Sequence, residues 1–198
     1  INLASSYTQG NSKPKIILLQ GVSGSGKSHL ANALLSLIDA IIISSDRTRK
    51  QLYGITPLHR VSVSEKSKLY SSSMSQKTYQ TLLHQSRDIL SQGKNVIVDA
   101  TFLKSSHRQP FADMASQCKA SVYLIYIESS SETAEQAILS RLQLNDNPSD
   151  ADAHIMQHQL KIIEPPKADE NALILDSKSL RVIFPEQIIQ EFLNLPIK

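Results

Sequence analysis

One eight-residue segment combines glycine, serine and lysine in a spacing that suits phosphate binding. It fits the pattern G-x-x-x-x-G-K-[ST] at every fixed position and consists of Gly21, Val22, Ser23, Gly24, Ser25, Gly26, Lys27 and Ser28. Glycines let the backbone curl until its N–H groups point at phosphate oxygens. Lys27 can reach the β- and γ-phosphates of ATP, and the Ser28 hydroxyl can ligate Mg²⁺. The segment therefore predicts a site for a nucleotide and its Mg²⁺, with every named position except Val22 contacting them.

Two carboxylates follow short apolar runs that predict strands. Asp99 ends the run Val96–Val98, where a carboxylate can hold Mg²⁺ directly or through water. Asp46 follows Ile41–Ile43 and can act as a general base for an acceptor hydroxyl. Arg49, about one helical turn later, can hold an anionic part of the acceptor. A helix-capping Asp beside a solvated Arg is an equally good reading of that pair taken alone.

The residue after Asp99 helps to distinguish ATP hydrolysis from phosphoryl transfer. Motor proteins that hydrolyse ATP at a phosphate loop of this kind usually carry a Glu at this position, where it orients the attacking water. This chain has Ala100 instead. The guanine-reading pattern Asn-Lys-x-Asp does not occur in the sequence. These features favour phosphoryl transfer to a bound hydroxyl over hydrolysis.

Three further residues are candidates for the site. Arg141 lies at the end of a predicted helix, where a lid arginine could neutralise transition-state charge, although it could equally satisfy the helix dipole. Thr101 and Arg108 follow the third strand and could face the acceptor. Arg108 fits the protein surface equally well.

Short apolar runs alternate with stretches of helical periodicity. They predict strands at 16–19, 41–43, 96–98, 122–127 and 172–175. Residues 54–75 predict a mobile loop, Ser129 and Glu132 a capping box, and Pro110 the first turn of a short helix from about Ser106. The alternation predicts an α/β fold, a three-layer α/β/α sandwich around a five-stranded, mostly parallel sheet with a small helical lid at about 141–155. Residues 1–14 are expected to be a flexible lead-in to one domain at 15–198.

The composition of the chain limits the ligands and the cellular compartment that can be expected. The 198 residues carry 21 basic and 18 acidic side chains, a net charge of +3 that does not by itself indicate nucleic-acid binding. A single cysteine, Cys118, excludes an internal disulfide and favours a reducing compartment, so a cytoplasmic location is expected. No apolar run is long enough to span a membrane.

Taken together, these segments resemble the "predicted kinase" branch of P-loop kinases. The branch is related to the kinase domain of polynucleotide 5′-hydroxyl kinase and, more distantly, to gluconate kinases and zeta toxins. The resemblance covers roughly 15–176 and rests on the phosphate loop, Asp46-x-x-Arg49, the run Val96–Leu103 with Arg108, Ser149-Asp150-Ala151, Gln159 and Glu164-Pro165. The segments resemble in particular the ATP-binding half of bacterial two-part proteins whose other half resembles an aminoglycoside phosphotransferase.

The resemblance implies that Asp46 is the general base, Arg49 a substrate contact and Arg141 the lid arginine. Related chains often carry a second basic lid residue shortly after the arginine, and residues 142–147 hold none. It also implies a domain preceding this one, since it begins only near Lys15.

Three functions are compatible with these features. The first is an ATP- and Mg²⁺-dependent kinase, a phosphotransferase with an alcohol group of a small metabolite as acceptor. The second is a polynucleotide 5′-hydroxyl kinase acting on DNA or RNA, against which stands the mild charge. The third is a non-catalytic ATP-binding regulatory domain of a larger fusion protein.

Overall fold

Five parallel strands form the centre of the structure, a computed structural model that describes residues 13–144 and 152–196. The strands are β1 (Lys15–Gln20), β2 (Ala40–Ser44), β3 (Asn95–Asp99), β4 (Ser121–Glu128) and β5 (Ala172–Asp176). Their order across the sheet is β2-β3-β1-β4-β5, and every pairing is parallel. The predicted sheet is confirmed, with all of its strands parallel rather than most of them.

One or more helices follow each strand along the chain. They are α1 (Lys27–Leu34), α2 (Ser45–Tyr53), α3 (Val63–Leu69), α4 (Ser72–Ser91), α5 (Ser105–Gln117), α6 (Ser131–Leu144), α7 (Ala153–Ile162), α8 (Ser177–Val182) and α9 (Glu186–Phe192). None of the described helices is long and apolar enough to cross a membrane.

Each face of the sheet carries its own apolar core, because side chains alternate along a strand. Ile17 and Leu19 of β1 pack with residues of α1 and α9, such as Leu34 and Ile189. Ile16 and Leu18 pack on the other face with residues of α4 and α5, including Leu82 and Phe111. Burial of the central strands on both faces explains their continuous apolar runs. The expected three-layer sandwich is therefore confirmed.

Three local expectations are corrected. The segment read as a loop at 54–75 contains α3, which begins at a capping box in which Ser62 accepts from Glu65 N and Glu65 accepts from Ser62 N. Pro110 lies in the second turn of a thirteen-residue helix, α5, where its missing N–H removes one helical hydrogen bond. The expected capping box at Ser129 does not form, because the Ser130 hydroxyl instead accepts from the backbone N–H of Thr133.

Candidate active site

The parallel register places the predicted site residues at one edge of the sheet. Leu19 of β1 and Ser44 of β2 both lie opposite Asp99, the last residue of β3. The phosphate loop leaves β1 two residues after Leu19, and Asp46 lies two residues beyond Ser44. Carboxyl ends of neighbouring parallel strands therefore bring both aspartates beside the loop, as expected for a ligand site in an α/β sheet.

The phosphate loop is held in shape by an internal hydrogen bond and by close contact with α6. The Lys27 ammonium donates to the carbonyl oxygen of Val22 at 2.8 Å, and the first turn of α1 starts at this lysine. Gly24 has a φ of +85°, and a Cβ there would lie 2.4 Å from the carbonyl oxygen of Ala134 in α6. Only glycine allows this conformation and this contact. The loop is thus pressed against α6, with the N-terminus of α1 open to an anion.

Asp99 lies beside Ser28 in an arrangement suited to Mg²⁺. The Ser28 hydroxyl donates to Asp99 Oδ2 at 2.7 Å. Burial raises the pKa of Asp99 above its ordinary value, although the Lys27 charge and the Ser28 hydroxyl act in the opposite direction. A buried carboxylate that is costly to ionise is stabilised by a cation, and two hard oxygen donors fit Mg²⁺. No group of three or more His, Cys, Asp or Glu within the described ranges could itself hold a metal.

Asp46 and Arg49 form the opposite side of the site. Arg49 Nη1 contacts Asp46 Oδ1 at 2.7 Å, one turn apart on α2. The Arg49 guanidinium also lies 4.8 Å from the centre of the Tyr70 ring, a favourable cation–π distance. Arg49 is only 7% exposed, and its buried Nε has no hydrogen-bond partner among the described residues. A buried cation with an open donor is suited to an anionic or strongly polar ligand.

A single cavity of about 200 Å³ connects the two sides. The predicted residues that line it are Ser23, Gly24, Gly26, Lys27, Ser28, Asp46, Arg49, Asp99 and Thr101. The cavity is also lined by Ser45, His29, Tyr70, Ala137 and Gln159, none of which is assigned a role from the sequence. Tyr70 could have been noticed only by recognising α3, and the signal for Gln159 was its place in the resemblance.

The loop from 100 to 103 is positioned by Tyr79 of α4. The Tyr79 hydroxyl accepts from the backbone N–H of Phe102 at 3.0 Å and lies 3.4 Å from the Thr101 hydroxyl. Phe102 has a φ of +44°, a conformation that costs energy for a bulky side chain and needs such support. The carbonyl of Thr101 in turn accepts from Gly21 N at 3.2 Å. This chain of contacts fixes Thr101 at the wall of the cavity.

Arg108 does not line the cavity. Its guanidinium is 2% exposed and points at Glu170, with Nε–Oε1 at 2.6 Å and Nη2–Oε2 at 2.7 Å. Nη1 donates to the carbonyls of Phe102 and Glu164. The expectation of a substrate contact is corrected here, because burial and these bonds leave the group nothing to offer an acceptor.

The remaining predicted residues fall into two groups. Gly21 and Ser25 lie within the phosphate loop, and Ser25 borders a second, more apolar cavity of about 320 Å³. That cavity is also lined by Gly24, Gly26, His29, Leu30, Ala137, Ser177, Leu180 and Phe184. Arg141 lies in the last turn of α6, but its side chain is outside the described residues. Residues 145–151 of the expected lid, which include Ser149, Asp150 and Ala151, and residues 1–12 of the expected lead-in also lie outside the described residues.

Comparison with known proteins gives the family and the fold. The family model described as AAA domain matches residues 16–166. A gluconokinase from Sinorhizobium meliloti 1021 is similar in structure, with 19% identity, a TM-score of 0.62, and coverage of 92% of this chain and 91% of that one. An unliganded sugar kinase from Janibacter sp. HTCC2649 has 18% identity, a TM-score of 0.64, and coverage of 92% and 94%.

A third similar structure contains ligands. The APS kinase of Mycobacterium tuberculosis, in complex with AMPPNP and APS, has 17% identity, a TM-score of 0.62, and coverage of 92% of this chain and 99% of that one. A comparison with curated protein sequences finds no match. The resemblance to P-loop kinases is therefore confirmed for the fold.

Proposed function

The chain belongs to the AAA domain family and has the fold of P-loop kinases, and on that premise we propose that it is an ATP- and Mg²⁺-dependent kinase. It transfers the γ-phosphate to a hydroxyl of a small metabolite. The observation that carries this proposal is the shared cavity: Lys27, Ser28 and Asp99 line it together with Asp46 and Arg49. Phosphate-binding and acceptor-binding groups thus face the same space.

The residues divide the reaction between them. Backbone N–H groups of the loop and Lys27 bind the β- and γ-phosphates. Asp46 takes the proton of the acceptor hydroxyl, whose oxygen bonds to the γ-phosphorus while the bond to the β-phosphate oxygen breaks and ADP leaves. Ser28 and Asp99 would hold Mg²⁺, which when bound neutralises charge on the phosphates. Arg49 orients the acceptor, and Arg141 is proposed to neutralise charge from the lid.

The second cavity supports a purine nucleotide as the phosphate donor. It adjoins the phosphate loop, and its Leu30, Leu180 and Phe184 side chains form an apolar surface suited to a purine ring. A base bound there would connect directly to phosphates on Gly24 and Gly26, which line both cavities.

An ion pair joins two helices whose ends carry residues that line the cavity. Lys66 of α3 contacts Asp152, the N-cap of α7, at 3.0 Å. Lys66 is four residues from Tyr70 on one wall of the cavity, and Asp152 is seven residues from Gln159 on another. The pair thus joins α3 to the start of α7, and it is the mild net charge of +3 that favours a small acceptor over a polynucleotide.

The test is a screen of hydroxylated metabolites with ATP and Mg²⁺, followed by the variant Asp46→Asn on the best acceptor. Loss of the base is expected to lower kcat by about 10²–10⁴-fold with nucleotide affinity unchanged. Asp39→Asn, at an exposed aspartate before β2, is the matched control and should retain the wild-type rate. Full activity of Asp46→Asn would remove the base assignment.

Two other outcomes would replace the proposal. Phosphorylation of 5′-hydroxyl oligonucleotides, weakened by salt, would identify a polynucleotide kinase. Tight ATP binding without transfer to any acceptor would identify a regulatory nucleotide-binding domain.

A further inference from the structure

A glutamine of α7 is inserted into the phosphate site. Gln159 is 7% exposed, and its Oε1 accepts from the backbone N–H of Ser23 at 2.7 Å. The two residues are 136 positions apart in the sequence. A loop N–H of the kind that binds phosphate is therefore held by a side chain from a different element.

The helix that carries Gln159 is firmly attached to the loop. Met156 of α7 is fully buried against Val22 of the loop and against Ala134 and Ile138 of α6. After the helix ends, the backbone N–H of Glu164 donates to the carbonyl of Leu103 at 2.7 Å. The amide of Gln159 is thus fixed from both ends of its helix, as a preorganised catalytic group must be.

The orientation of this amide follows from its partner. A backbone N–H can only donate, so Ser23 must face the carbonyl oxygen of the amide and not its NH₂ group. The Nε2 of Gln159 has no hydrogen bond to a described residue. Gln159 lines the same cavity as Lys27, Ser28 and Asp99. The NH₂ group is the part of the side chain left to serve a ligand there.

We infer that Gln159 is a catalytic residue whose Nε2–H donates to an oxygen of the transferred phosphoryl group. This inference rests on the proposed kinase function. In the transition state the negative charge of this group is spread over its equatorial oxygens, and a fixed N–H donor beside one of them stabilises that charge. Residues 142–147 hold no Lys or Arg, and the Gln159 amide is a neutral donor that α7 holds at the wall of the cavity.

The experiment compares the affinities of ADP and a non-hydrolysable ATP analogue, each with Mg²⁺, by calorimetry. Gln159→Glu keeps an acceptor for the Ser23 N–H but removes the donor, and Gln159→Met removes both at similar length. Gln157→Met is the matched control, because Gln157 lies on the same helix, is exposed and bonds to Ser131 of α6 instead of the loop. Thermal melting establishes that each variant is folded. Gln159→Met decides the comparison, because the carboxylate of Gln159→Glu also repels the extra charge of the ATP analogue.

Gln159→Met is expected to lose about tenfold in the preference for the ATP analogue over ADP, as for one hydrogen bond to a charged group. Gln159→Glu should lose more, because its negative charge also repels the additional phosphate. The control should keep the wild-type preference. Equal losses for the two nucleotides would make Gln159 a support of the loop only and overturn the inference, as would no change at all. The ratio needs no acceptor, so it stands or falls separately from the transfer reaction. A wild-type chain that binds neither nucleotide overturns both proposals.

Discussion

The buried Arg108 is expected to have a structural role and not a catalytic one. The variant Arg108→Met tests this expectation. The arginine forms a two-pronged bond to Glu170 and donates to two carbonyls of segments that border the site. These bonds tie α5 to the chain between α7 and β5. We therefore expect the substitution to lower stability strongly while leaving the affinity for the acceptor unchanged in the folded protein.

The magnitude follows from what the substitution leaves behind. Removing one partner of a buried ion pair costs about 3–5 kcal/mol. Glu170 is partly exposed, with 22% of its side chain accessible, and keeps a 2.8 Å hydrogen bond from Lys167 N. The lower end, about 3 kcal/mol, is therefore expected. For a chain of this size that corresponds to a fall in Tm of about 6–12 °C.

Urea and thermal unfolding measure this loss, and KM for the acceptor measures any catalytic role. Arg87→Met, at an exposed arginine of α4, should stay within about 0.5 kcal/mol of wild type. Adding Glu170→Gln to Arg108→Met should restore part of the stability, because it removes the unpaired charge. The reasoning is refuted if Arg108→Met keeps the wild-type Tm and raises KM instead.

Three further predictions concern the loop and its carboxylates. Asp99→Asn should stabilise the ligand-free protein by about 0.5–2 kcal/mol, since burial raises the pKa of Asp99, yet Mg²⁺-dependent turnover should vanish; unfolding and rate assays on one preparation test both. Gly24→Ala should abolish nucleotide binding through the clash with Ala134, whereas Gly54→Ala, at a similar φ of +84° with open space, should cost only about 1–2 kcal/mol of strain. Burial alone would raise the pKa of Glu170, but hydrogen bonds from its arginine partner and a backbone N–H outweigh it and lower the pKa. Its stabilisation is thus present above about pH 4 and lost as pH falls further, a loss that Glu170→Gln should reduce in acid melts.

The phosphate loop, the strands and the position of Asp99 could be predicted from local sequence. The phosphate loop Gly21–Ser28 requires glycines and a lysine at fixed spacings within eight residues, so its pattern can be recognised in the sequence. The five strands were equally predictable, because strands buried on both faces must be continuously apolar. Asp99 could be assigned because it directly ends one of those strands.

The wall of the cavity that carries Asp46, Arg49 and Tyr70 was only partly predictable. Asp46 and Arg49 were visible as a pair, but α3 and its Tyr70 were read as loop. A seven-residue helix has too few turns to show a period, and its packing decides whether it forms.

The sequence by itself determined the fold class, the phosphate loop and the carboxylate beside it, because each depends on residues that are adjacent in the chain. Only the tertiary structure decided the strand order, the burial of Arg108 against Glu170 and the insertion of Gln159 onto Ser23. Those contacts join residues 62 and 136 positions apart. Side chains so distant acquire their partners from packing, which leaves no local pattern in the sequence.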